Sequence, residues 1–123
     1  MINEEIESIF RNFSVSGTVI PVKFLYYQGH GEPYVVYMES AMDNSYSGDD
    51  DLLGYVAYYD FDVFSKGNYV SIVEAIKEKM KEHGWTWQVL RSSGDLWETD
   101  TGYYHKTLCF AKHIAEIPVP PTV

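Results

Sequence analysis

Carboxylates spaced along a glycine-containing stretch are the first residues in this chain that could do chemistry. Asp43, Ser45 and Ser47 occupy positions one, three and five of a run whose sixth residue is Gly48, and Asp49, Asp50 and Asp51 follow. Oxygen ligands at alternate positions before a glycine open an EF-hand calcium loop. Position twelve, where such a loop needs a bidentate Glu, is Gly54, and the flanks read as strands. Asp43, Asp49 and Asp51 are the metal candidates, and a solvated acidic loop is the simpler account. No other cofactor is expected. His30, His83, His105 and His113 show no metal-ligand spacing, and Cys109 is the sole thiol. Cys109 sits in an apolar run with no basic neighbour in sequence, so a buried, inert thiol is expected. Asp60 and Asp62 share one strand face and could be drawn as a glycosidase pair. Exposed paired carboxylates more commonly solubilise. Gly29-His30-Gly31 leads into a strand, which a phosphate loop does not. No Ser or Cys stands in a nucleophile motif. The expectation is a protein that is not an enzyme.

The elements that must position these residues follow from hydrophobic periodicity. Ile2, Ile6, Ile9, Phe10 and Phe13 recur at helical spacing behind Glu4 and Glu5, until Ser14, Ser16 and Gly17 end the pattern. Residues 22–27 and 34–38 are rich in strand formers, and the pair reads as a hairpin with a long connection. Residues 41–51 read as a polar loop, and 55–64 as an alternating strand with Asp60 and Asp62 on its wetter face. Asn68 then suits the N-cap of a helix whose stripe is Tyr69, Ile72, Val73, Ile76 and Met80, with Gly84 at its end. Residues 85–90 and 103–111 read as strands flanking a polar connection, 91–102. The fold class expected is α+β: an antiparallel or mixed sheet covered by two amphipathic helices, in the order α-β-β-β-α-β-β. One domain over 1–114 and an extended Pro-rich tail over 115–123 account for the 123 residues.

Charge narrows the partners. The net charge is −9, and no Lys or Arg occurs from residue 24 to residue 65, where eight acids fall. Nucleic-acid binding needs cations that displace phosphate counterions, so sequence-specific nucleic-acid recognition is not expected. No apolar run approaches the ~20 residues of a membrane span, and no basic, apolar leader opens the chain. A protein made in a cytoplasm, with no membrane partner, is expected.

The order of elements, with Pro33-Tyr34-Val35-Val36-Tyr37, the acidic loop bearing Tyr46, Gly48 and Asp49, the strand 55–64, the helix 69–83 before Gly84-Trp85, and the closing strand from Tyr103-Tyr104-His105-Lys106 to Phe110, resembles the small tail-completion, or tail-terminator, proteins of long-tailed bacteriophages and prophages. It spans residues 2–111. The resemblance implies a virion tail component made in a bacterial host. Such a protein forms a homo-oligomeric ring, a hexamer, on the tail tube, where it meets tail-tube protein and head connector. Asp60 and Asp62 are then candidates for an acidic channel lining, since like charge discourages DNA from sticking. Asp43, Tyr46, Asp49, Asp50, Asp51, Arg91, Asp95 and Trp97 are candidates for protein contacts. The competing reading is a small metal- or ligand-binding module using loop 43–51.

Overall fold

The computed structural model describes residues 2–28, 31–47 and 52–115; within them, nothing is said of the side chains of 42–47, 52, 53 and 115. In chain order the elements are α1 (Ile2–Ile9), β1 (Ser14–Val15), β2 (Thr18–Val19), β3 (Val22–Phe24), β4 (Tyr34–Ser47), β5 (Leu52–Ser65), α2 (Val70–Glu82), β6 (Thr86–Trp87), a 3-10 turn (Val89–Arg91), β7 (Leu96–Trp97) and β8 (Tyr104–Ala115). The fold is α+β, with two helices and a mostly antiparallel sheet ordered β3-β4-β5-β8-β6, β7 also pairing with β8. The simpler order α-β-β-β-α-β-β does not hold. Ser14 and Val15 pair with Val19 and Thr18 across Ser16 (φ 52°) and Gly17 (φ 83°), so the residues read as a helix stop also build a small hairpin.

The first two sheet strands also differ from expectation. β3 runs parallel to β4, pairing Val22 with Val35 and Phe24 with Tyr37, and is no hairpin partner. The cause is local. Leu25 adopts φ 65°, and the Tyr26 N–H donates to the Phe24 carbonyl at 2.7 Å. That is a γ-turn of the strained hand, and it throws the chain off the sheet before it could continue as a strand. The chain then returns so that the Val35 N–H donates to the Pro21 carbonyl at 2.8 Å.

Residues 41–47, expected as loop, continue β4. They pair with β5 through register shifts between Glu39 and Ala41 and again around Tyr46. Backbone pairing needs a partner strand more than it needs strand-forming side chains, and the alternating β5 supplies one. β8 flanks β5 on its other side, from Gly54 opposite Ala115 to Ser65 opposite Tyr104. The strand expected over 85–90 shrinks to Thr86 and Trp87, because the chain turns away through the 3-10 segment.

Both helices pack on one face of this sheet. Phe61 of β5, wholly buried, is its centre: Phe10 after α1, Tyr37 on β4 and Phe110 on β8 bring their rings to 5.4, 5.6 and 5.6 Å. Ile6 of α1 and Ile72, Val73, Ile76 and Met80 of α2 complete the cluster. The N-cap of α2 is Tyr69, whose own side chain makes no capping bond, and not the expected Asn68; Asn68 stands one residue further out, where its Oδ1 accepts the Val70 N–H at 2.9 Å. At the far end Gly84 takes φ 85°, and the N–H groups of Gly84 and Trp85 donate to the carbonyls of Lys81 and Met80. This double C-terminal cap needs the left-handed residue that glycine supplies at little strain.

Candidate assembly surface

Among the described residues, the opposite face of the sheet carries no helix. Alternation on β5 turns Val56, Tyr58, Asp60, Asp62 and Phe64 toward it, and pairing with β8 sets Cys109 beside Asp60 and Thr107 beside Asp62. Aromatic rings cross the strands at one end: Tyr34 stacks on Phe64 at 4.7 Å, and Phe64 on His105 at 4.3 Å.

The connection 88–103 folds along the outer edge of β8, and two serines bind it there. The Ser92 hydroxyl accepts the Cys109 N–H and the Trp87 indole N–H, both at 3.0 Å, and donates to the Gln88 carbonyl at 2.8 Å. The Ser93 N–H donates to the Thr107 carbonyl at 2.9 Å, and its hydroxyl accepts the Thr107 N–H at 2.8 Å. Side chains here do the pairing that a strand backbone would otherwise do, between the two-residue strands β6 and β7.

A charged clasp reinforces the connection. His105 lies between two carboxylates, with Nε2 at 3.4 Å from Asp62 and Nδ1 at 3.6 Å from Glu98. The Thr107 hydroxyl donates to Asp62 at 2.6 Å. Burial alone would raise the Asp62 carboxyl, but the bonds from His105 and Thr107 outweigh it and hold it below the usual carboxylate range. Because the Thr107 proton is directed at Asp62, the 3.4 Å approach of Thr107 to His105 does not make the hydroxyl a primed nucleophile. The group binds two strands and a loop together.

Asp60 and Asp62 thus lie on the uncovered face, as their alternation predicts, but Asp62 is engaged and both are only partly exposed. The Arg91 guanidinium lies 4.1 Å over the Tyr58 ring. Asp95 accepts the Tyr69 hydroxyl and the Lys106 ammonium, the latter at 3.3 Å; these bonds, Tyr69's first, hold its carboxyl low. Trp97, 52% exposed, leans on Tyr104 at 4.8 Å. Asp95 and Trp97 therefore share one edge of the sheet, while Arg91, from the same connection, reaches over the open face to Tyr58. Leu90, fully exposed, Val89, more than half exposed, and Leu96, half exposed, line the same edge. Cys109 is fully buried and its thiol is pushed up, by burial first and then by Asp60.

Asp43 and Tyr46 are strand residues opposite Val56 and Gly54. Asp49, Asp50, Asp51, Gly29, His30 and the tail 116–123 lie outside the described residues. Gly54, the twelfth position of the calcium pattern, is buried in β5, where an added Cβ would stand 2.7 Å from the Ile114 carbonyl oxygen. Among the described residues no group of three or more His, Cys, Asp or Glu is placed to hold a metal, and no helix is long and apolar enough to cross a membrane. The clasp and the two serines went unread in the sequence, because β-pairing across distant segments creates both. A second exposed apolar group (Phe24, Leu25 and Tyr26) was hidden by its resemblance to ordinary strand residues.

No protein-family model matches the chain, and no curated protein matches it.

Proposed function

We propose that this chain is an assembly protein of the tail-terminator kind, a virion component that forms a ring on the end of a phage or prophage tail tube and meets the head connector. The observation that carries the reading is the edge formed by 88–104. Leu90, Leu96 and Trp97 are held in solvent by a connection that Ser92, Ser93 and the His105 clasp bind to the sheet. Apolar side chains grouped on a fixed edge mark a surface that meets protein. Asp60 and Asp62 on the open face, with Arg91 and His105 beside them, are the candidates for a lining past which DNA moves, in a chain of net charge −9. Electron microscopy of tail tubes assembled with and without the protein tests this. Uniform capped tube ends are expected, and unregulated lengths despite binding would remove the reading.

A further inference from the structure

A second interaction surface lies on the opposite edge of the sheet. There the γ-turn at Leu25 spends backbone strain to hold Leu25 and Tyr26 in water, 58% and 73% exposed. Strain of this kind is concentrated at functional positions. Beside it, between α1 and β3, runs a groove of about 280 Å³ lined by Val19, Pro21, Arg11 and Lys23, with Glu7 as its one acid. In a chain this acidic, a groove whose exposed lining is more polar than apolar and carries two cations is selective. The groove fits a carboxylate, and the exposed Leu25 and Tyr26 that follow β3 fit apolar side chains next to it.

The same chain presents a segment carrying both on its other edge. Residues 95–100 read Asp-Leu-Trp-Glu-Thr-Asp, with Leu96 and Trp97 half exposed and Asp100 exposed. β3 and β7 stand at opposite sides of the sheet, so one copy cannot join the two surfaces within itself. We propose that the groove between α1 and β3 seats segment 95–100 of a second copy of this chain, with Arg11 and Lys23 facing its Asp100 and with Leu25 and Tyr26 covering its apolar pair, while Asp95 and Glu98 keep their bonds within their own chain. Two unlike surfaces on opposite edges make a heterologous, head-to-tail contact, which closes into a ring when the rotation allows. The inference rests on the reading of edge 88–104 as an assembly surface and adds its partner.

Cross-linking tests it. Lys23→Cys and Asp100→Cys variants, mixed and oxidised, are expected to give disulfide-linked mixed dimers, with each variant alone giving about tenfold fewer. The native Cys109 is buried and does not compete. Absence of mixed dimers, or equal yield from either variant alone, overturns the proposal. A folded Arg11→Glu/Lys23→Glu chain, checked by circular dichroism, should lose about tenfold or more in self-association by sedimentation, and adding Asp100→Lys should restore part of it. Wild-type association in the double variant also overturns the proposal. Tail tubes separate the two readings. Self-association through these surfaces without binding to tube ends keeps this contact and removes the tail-end function, whereas capping of tubes by the chain without mixed dimers does the reverse.

Discussion

The two faces of β5 use the same strand and the same backbone pairing, yet different physics holds them. Toward the helices, Ala57, Tyr59, Phe61 and Val63 are buried among aliphatic and aromatic side chains, and removal of apolar surface from water dominates. Away from them, Asp60, Asp62 and Phe64 are only partly covered, and hydrogen bonds, ring stacking and an imidazole between two carboxylates do the holding. The first face stabilises the fold. The second fixes a connection in place and leaves its apolar side chains exposed, as a surface that meets another molecule requires.

Substitutions on the two faces should therefore diverge. Phe61→Ala is expected to lose about 3–5 kcal/mol in urea unfolding, as deletion of a fully buried ring does. Phe64→Ala should lose only about 1 kcal/mol, the worth of stacking at a half-covered site. Equal losses would break the comparison. Gly54→Ala comes next, at about 1–3 kcal/mol, since its Cβ would push the Ile114 carbonyl and part β5 from β8; an unchanged unfolding midpoint would deny the close approach.

Two pH measurements sharpen the contrast. Asp62 has its folded carboxyl below its unfolded value, so its contribution is fully present above about pH 4 and is lost as pH falls through the lower folded value. Asp62→Asn should flatten that acid limb of stability against pH, and an identical limb in wild type and variant would dismiss the clasp. The smallest effect concerns two tyrosines. Tyr69 is pushed up to about 12 by burial and then by its bond to Asp95, whereas Tyr59 reaches about 12 by burial first, with Glu39 adding to it. Each raised value gives stability that is present below about pH 10 and is lost as pH rises through about 12. Asp95→Asn should bring the Tyr69 titration down, followed by tyrosinate absorbance, and leave Tyr59 in place. A shift in both would mean that Asp95 acts through the whole fold.

Legibility in the sequence followed locality. Helix α2 was readable in its apolar stripe and its Gly84 end, because these act within a few residues of one another, whereas its N-cap was read one residue early, at Asn68 in place of Tyr69. The alternation of β5 was readable for the same reason, and it placed Asp60 and Asp62 on the uncovered face. Segment 41–47 was misread because its residues are polar while its pairing comes from β5. The direction of β3 was misread because one unfavourable φ at Leu25 decides it, and nothing in the residue type announces that angle. At the candidate surface, Arg91, Asp95 and Trp97 could be picked out as a polar connection bearing an aromatic. Their fastening by Ser92, Ser93 and His105 could not.

The sequence by itself determined an acidic α+β chain with two amphipathic helices, a buried thiol and a long alternating strand, since composition and short-range periodicity set which groups leave water. The tertiary structure alone decided which edges of the sheet are left open and what lies on them. Strand order and register join residues far apart in the chain, bringing His105 between Asp62 and Glu98 and sending segment 95–100 and the Leu25 turn to opposite sides.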